Sequence, residues 1–510
     1  MASKLIGIDI GTQGTKAALF SEDGTTLGEA FQKSNLIQPE PGIVEENPEE
    51  QLDAACKTIK ELIEATGTNP AEVACIAIDG QMAGVIGVGE DGMNVTPYDS
   101  WLDTRCAPYI KQLQTEAAED ILNKSGCAPS FNHGPKKIWW KKERPETYDK
   151  IRAFVQPGGY AVMRLCGLKG DEAYIDVTYL HFSGFADNRN SKWDENLCKR
   201  FGVDVGKLPR IVRPDEIMGT VIPEMAARTG LKAGTPVAAG CGDTAASFLS
   251  CGAASEGVCV DVAGTASVYA STTADFRADK KLILGCGQSA VPGLWHPYAY
   301  INGGGMNLEW FRKEIGVMLN PDAAASGGGG LDFPKLNELA AAIHPRIDDP
   351  VFVPHLAGRN SPAQPDLRGS WAGLNWNHNA GHLFRAVCEG VALEYRIYQQ
   401  TLIDMYDGFK PVEIRITGGG GKSAVWNQIK ADALQIPVIP VDRQEGAPLG
   451  SALIAGKAAG VFGDLKTAAD KWINKDAPTS PDTAKAEHYK GRAVRYESLM
   501  EALNGWAESQ

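Results

Sequence analysis

The chain opens on a short apolar run, Leu5-Ile6-Gly7-Ile8, continued by Ile10 and interrupted by one acid, Asp9. A run without polar alternation reads as a strand covered on both faces. A turn of Gly11, Thr12, Gly14 and Thr15 follows, and Ala17–Phe20 returns as a second strand. The pattern then changes period. Asn47-Pro48-Glu49-Glu50 is a helix start, with Asn47 as cap, Pro48 in the first turn and Glu50 placed for a capping box. Leu52, Cys56, Ile59 and Ile63 recur at helical spacing up to Gly67. Val73–Ile78 is again a strand, running into a polar loop, Asp79-Gly80-Gln81-Met82-Ala83-Gly84. The carboxyl end of a strand is where α/β sheets place ligand contacts.

The second half repeats the rhythm. Pro236–Gly240 is a strand ending in small residues around one acid, Cys241-Gly242-Asp243-Thr244-Ala245-Ala246-Ser247. Val258–Ala263 leads into Gly264-Thr265-Ala266-Ser267 and a return strand at Val268-Tyr269-Ala270, the shape of the opening hairpin about half a chain later. Tyr298–Ile301 precedes Gly303-Gly304-Gly305 and a helix. Val412–Thr417 alternates as a strand before Gly418-Gly419-Gly420-Gly421-Lys422-Ser423 and a helix carrying Trp426, Ile429 and Leu434. Gly446–Ala452 opens a further helix packed by small residues, and Ala484–Glu508 is a charged, structural helix. Gly327–Gly330 has no strand before it and reads as a linker. The fold class is α/β, with two similar halves facing each other.

Some of these positions carry chemistry. A carboxylate inside a buried strand is costly unless a cation compensates it. Asp9, followed by glycine N–H groups and threonine hydroxyls, therefore suits a phosphate tail and a metal ion; a plain Gly-Thr turn is the alternative. Asp243 is the only charged side chain between Lys232 and Glu256. Among Gly, Ala and Ser it has room for a substrate and a tunable proton affinity, although an acid there also suits a helix start. Tyr98–Arg105 holds Trp101, Asp103 and Arg105, a flat apolar face with hydrogen-bonding partners for a polyhydroxylated ligand, or simply a surface loop with an ion pair. Lys136-Lys137-Ile138-Trp139-Trp140-Lys141-Lys142 mixes cations with aromatics as nucleic-acid sites do. A helix with inward tryptophans and solvated lysines is the favoured reading. Gly418–Ser423 is not a Walker A loop, because Ile416 stands where that motif needs glycine. A strand, glycine turn and helix can still seat a ribose and its phosphates.

Composition narrows the class. The chain has 510 residues, is 43% hydrophobic and 22% charged, and carries a net charge of −13. That length exceeds one ordinary core, and the charge argues against bulk attraction to nucleic acid or anionic membranes. No uninterrupted apolar stretch is long enough to span a membrane. Eleven cysteines include no Cys-x-x-Cys pair, and eight histidines show no zinc spacing. They read as reduced thiols of a cytoplasmic protein.

Taken together, these motifs resemble the FGGY family of carbohydrate kinases, within the actin/Hsp70/sugar-kinase superfamily. The likeness runs from Leu5 to about Val461. Its most specific piece is Gly369-Ser370-Trp371-Ala372-Gly373-Leu374 followed by His382-Leu383-Phe384-Arg385-Ala386-Val387-Cys388-Glu389, which follows the family's second signature with Cys388 in place of a larger apolar residue. The first signature is poorly kept around Pro135–Trp139, where Lys137 replaces an apolar residue.

The resemblance implies two RNase H-like, actin-like ATPase domains, each a mixed sheet flanked by helices, with ATP and sugar in the cleft between them. It places residues 1–251 in the sugar and catalytic domain and 252–510 in the domain of the second phosphate and adenosine motifs. It implies Asp243 as catalytic base and sugar contact, with Gln81, Met82, Trp101, Asp103 and Arg105 on the sugar loops. Gly11, Thr12, Gln13, Gly264, Thr265, Gly304, Gly419, Gly420 and Gly421 are implied for ATP, and Asp9 for Mg²⁺. Asp261 sits at a different offset from its Gly-Thr turn and is not assigned a metal role. The expected partners are a small sugar and ATP, without nucleic acid or membrane, and a homodimer is left open.

Gly80-Gln81-Met82, Trp101–Cys106 and Gly242–Ala246 are most similar to the xylulose kinases, so the expected reaction is D-xylulose to D-xylulose 5-phosphate. Those kinases carry His after Gln-Met, where this chain has Ala83. A lost buried hydrogen bond is worth on the order of 1–3 kcal/mol, enough to change the preferred acceptor. L-Xylulose, ribulose and glycerol are the alternatives. A chaperone-like or filament ATPase, or a sugar sensor on the same scaffold, fits less well, because the sugar loops and both acids are retained.

Overall fold

The computed structural model describes residues 3–319, 331–442 and 446–509. Two seven-stranded mixed sheets form its core, and they share one plan. In the first, Lys4–Ile10 pairs antiparallel with Gly14–Ser21, which pairs antiparallel with Thr26–Lys33. On its other side Lys4–Ile10 runs parallel to Val73–Gly80. In the second, Val258–Ala263 pairs antiparallel with Ser267–Ser271, which pairs antiparallel with Trp295–Ile301. On its other side Val258–Ala263 runs parallel to Glu413–Thr417. The internal repeat expected from two Gly-Thr turns is thus a repeat of whole sheets.

The opening run is uniformly apolar because both of its faces are covered. Ile6, Ile8 and Ile10 pack against Leu52, Ala55, Ile59 and Leu62 of the helix Pro48–Thr66. That helix starts where Asn47 accepts the Glu49 N–H and stops at Gly67 in a left-handed conformation. Leu5, Ala18, Cys75 and Ala77 face the other way, against Leu449, Ala452, Leu453 and Ala455 of the helix Ala447–Ala458. This second helix comes from the far half of the chain. It lies so close that a side chain at Gly7 would meet the Pro448 carbonyl oxygen at 1.8 Å, and one at Gly450 would meet the Ala246 oxygen at 2.1 Å. The helices Asp243–Ser250 and Ala447–Ala458 pack on one another where the halves meet.

Two expectations need correction. The lysines of the helix His133–Glu143 are not all solvated: Lys136 and Lys137 are buried. The Lys136 ammonium donates to the carbonyls of Ser100 and Asp103, and Lys137 lies over the Trp193 ring. Burial pushes the Lys137 ammonium down to about 8. Asp79 is not in a loop but within its strand, with no exposed surface. Gly327–Gly330 lies outside the described residues. Among the described residues, no helix is long and apolar enough to cross a membrane.

Candidate active site

The register of the first sheet assembles the acids. Asp9 and Asp79 are direct partners on parallel neighbouring strands, and Cys241 lies beside Asp79 on the other side. Asp243 follows two residues later as the first residue of the helix Asp243–Ser250. Burial, then the Asp9 charge, push the Asp243 carboxyl up to about 7, while its bonds with Thr244 act the other way. Asp79 is held well above the usual carboxylate range by burial and by Asp9; its Oδ2 accepts from Ser451 on the far-half helix at 2.6 Å. Burial and a neighbouring carboxyl thus both favour the neutral form of Asp79. Ala77-Ile78-Asp79-Gly80 repeats the texture of Gly7-Ile8-Asp9-Ile10.

The opening turn forms a cradle. Gly11 N–H donates to the Gly14 carbonyl, and a side chain on Gly11 would sit 3.5 Å from both Asp9 oxygens. Gln13 is exposed beyond it. On the other half, three separate segments converge on the end of one strand. Gly305 and Met306 donate N–H to the carbonyls of Gly264 and Thr265. A side chain on Gly304 would strike Ser267 Oγ at 1.8 Å, and one on Gly418 the Ala263 carbonyl at 2.6 Å. Gly264, Thr265 and Gly419 remain exposed, and Gly420 and Gly421 partly so. Close backbone approach is what these glycines permit.

A chain of side chains joins the opening turn to the loops that hold Gln81 and Trp101. Trp101 Nε1 donates to Thr12 Oγ1 at 2.8 Å, Thr12 Oγ1 donates to Gln81 Oε1 at 3.2 Å, and Gln81 Nε2 donates to Glu46 Oε1 at 2.8 Å. Glu46 is buried and its carboxyl is raised by that burial, with Gln81 and Gln51 opposing. In the sequence, two acids before a helix cap look like surface. Trp101 is 48% exposed. Met82 packs its sulfur against Gly242, and its carbonyl meets His133 Nε2 at 2.6 Å.

Asp103 and Arg105 sit deeper than a sugar contact would. Asp103 is fully buried and accepts from Val44 N–H, Arg105 N–H and the Arg105 guanidinium. Arg105 also bonds Glu45 and lies over Trp139. They stiffen the loop that presents Trp101. Gln81, similarly, has its amide committed to protein partners.

No cluster of three or more His, Cys, Asp or Glu among the described residues could hold a metal by itself. One part-exposed carboxylate beside a glycine cradle does fit a hard cation that keeps phosphate oxygens and water as its other ligands. Asp9 is the residue placed to hold it.

Two sheet domains of one plan, each with a Gly-Thr hairpin joining two of its central strands, define an actin-like scaffold. The family models agree. The N-terminal domain of the FGGY family of carbohydrate kinases matches residues 4–250, and its C-terminal domain matches residues 259–459. The chain belongs to the FGGY family of carbohydrate kinases. Xylulose kinase of Bacillus subtilis is 26% identical over 97% of this chain and 96% of its own. Gluconokinase of the same organism is 28% identical over 92% and 90%. The crystal structure of xylulose kinase from Rhodospirillum rubrum superposes with a TM-score of 0.89 at 26% identity, covering 99% of this chain and all of that one.

Proposed function

We propose that the protein transfers the γ-phosphoryl group of ATP to a primary hydroxyl of a ketopentose, with D-xylulose as the first-choice acceptor and D-xylulose 5-phosphate as product. The observation that carries this is the position of Asp243. It is partly open, it follows Gly242 against which Met82 packs, and it feels the charge of Asp9 at the opening turn, with its carboxyl raised to about 7. A base poised near neutrality can take the hydroxyl proton as the oxygen attacks phosphorus. Trp101 and Met82 line the acceptor, while Gln81, Asp103 and Arg105 hold that lining in place. Gly11, Thr12 and Gln13 on one turn and Gly264 and Thr265 on the other take the phosphates, with the Gly11 and Gly264 N–H groups bonded within their own turns. Gly304 and Gly419–Gly421 leave room for the nucleoside. Mg²⁺, held at Asp9, would neutralise charge on the transferring group. Residues 1–251 and 252–510 are assigned to the two lobes, with the helix Ala447–Ala458 of the second packed back on the first sheet.

Ala83 supports a second acceptor class, because it removes the hydrogen bond that a histidine would give a sugar hydroxyl. The gluconokinase relative widens the choice further. The test is ADP release across D-xylulose, L-xylulose, D-ribulose, glycerol and D-gluconate, with Asp243→Asn beside the wild type. The expected outcome is at least a thousandfold loss of turnover in Asp243→Asn, as for a removed general base with its proton route, with ATP still bound. Near wild-type turnover in that variant would refute the assignment of the base.

A further inference from the structure

Beneath the acids runs a short turn, Val177–Phe182, that takes no part in the cleft. Thr178, Tyr179 and His181 are all buried there. Thr178 Oγ1 donates to Asp176 Oδ1 at 2.6 Å and accepts the Gly242 N–H at 2.9 Å. Gly242 is the cap residue of the helix that begins with Asp243, so this bond sets the peptide plane from which Asp243 departs. The Tyr179 hydroxyl lies 2.9 Å from the Gly80 carbonyl and 3.2 Å from that of Cys241. Gly80 precedes Gln81 and Met82; Cys241 precedes Gly242 and Asp243. One phenol therefore spans the roots of the sugar loop and the base loop. His181 Nε2 meets Tyr298 Oη at 2.9 Å across the boundary between the halves. Tyr298 lies on Trp295–Ile301, the strand that leads into Gly303–Gly305.

We propose that Thr178 and Tyr179 are positioning residues for Asp243, clamping the base loop to the sugar loop, with His181 tying the same turn to the nucleotide-side sheet. Neither residue touches the cleft, so each acts through backbone it holds. The inference rests on Asp243 being the base. It follows from geometry: within five residues, one turn bonds both loop roots and the opposite sheet, and its side chains have no exposed surface to spend on a ligand. A rigid base removes reorganisation from the transition state without changing how either substrate binds.

The test compares Thr178→Val, which keeps shape and loses both bonds, with Thr178→Ser, which keeps the oxygen, using ADP release with the best acceptor of the panel above. The expected result is at least a tenfold fall in kcat for Thr178→Val, with KM for ATP and acceptor within twofold, and recovery to within threefold of wild type in Thr178→Ser. Equal kcat in the valine and serine variants overturns the proposal, as does a valine variant at wild-type turnover. If Thr178→Val does not fold, Tyr179→Phe decides: it removes one oxygen, and wild-type kcat there also overturns the proposal. Asp243→Asn run in parallel separates the two failures. An inactive Asp243→Asn with a fully active Tyr179→Phe sinks only the clamp, whereas an active Asp243→Asn sinks the base.

Discussion

The two Gly-Thr hairpins descend from one pattern but treat their acids in opposite ways. Asp9 stands two residues before Gly11, and Asp261 three before Gly264. Side chains along a strand alternate faces, so a shift of one residue turns the second acid away from the turn. Asp9 is partly exposed beside its glycine cradle. Asp261 is completely buried and closed off: Lys430 Nζ lies 2.5 Å from it, Tyr395 donates to it at 2.7 Å, and the Lys430 ammonium sits 3.6 Å from the centre of the Trp426 ring. The same scaffold thus offers one carboxylate to a ligand and spends the other on its own core. An acid near a Gly-Thr turn is therefore not by itself a metal residue; its face decides.

The sharpest way to break this contrast is to delete each acid. Asp9→Ala should lower turnover by about 10³-fold, the scale of losing a charge-organising group at phosphoryl transfer, while changing unfolding free energy by less than about 1 kcal/mol. Asp261→Ala should do the reverse. It leaves Lys430 buried without its partner and should cost about 3–5 kcal/mol in denaturant melts, with turnover of the folded fraction retained. The double change Asp261→Leu with Lys430→Met then recovers most of that loss, because an apolar pair of similar volume needs no compensation.

A pH profile probes the acids that remain in the cleft. Asp243 must be ionised to act, so kcat/KM should fall about tenfold per pH unit below about 7, with the inflection set by the free enzyme. Asp9→Asn removes the second-largest cause of the shift, so the residual activity of that variant should inflect at lower pH. Stability carries the opposite sign. Asp243 and Asp176 are both raised to about 7 in the fold, each by burial first. Their contribution is complete below the unfolded value and is lost as pH rises from about 4 to about 7. Ligand-free protein should therefore lose part of its stability over that interval in melting experiments. The smallest expected effect is on acceptor choice: Ala83→His should raise kcat/KM for D-xylulose by about fivefold, the worth of one added hydrogen bond of about 1 kcal/mol.

The sheets, the halves and the family were legible because they rest on period and on glycine placement, which are local properties. The helix Pro48–Thr66 declared its cap and its stop within the chain itself. Depth was less legible. Asp103, Gln81, Lys136 and Lys137 are polar residues in polar-looking segments, and only contacts distant in sequence put them underground: Val44 on Asp103, Glu46 on Gln81, Ser100 on Lys136. The burial of Asp79 is hidden for the same reason, since its partners are Asp9 on a neighbouring strand and Ser451, 372 residues away in the chain. The turn at Val177–Phe182 carries no periodic signal, and its importance appears only once Gly80, Cys241 and Tyr298 are seen around it.

The helix Ala447–Ala458 has a consequence for how the molecule is made. It covers the middle of one face of the first sheet, pressing on Leu5, Ala18, Cys75 and Ala77, yet it leaves the ribosome long after those strands do. The first half emerges with that face bare and cannot finish its core during synthesis. Until the helix Ala447–Ala458 has been made, nascent chains carry an uncovered apolar sheet. Truncation before residue 447 should therefore yield aggregates instead of an independent N-terminal lobe.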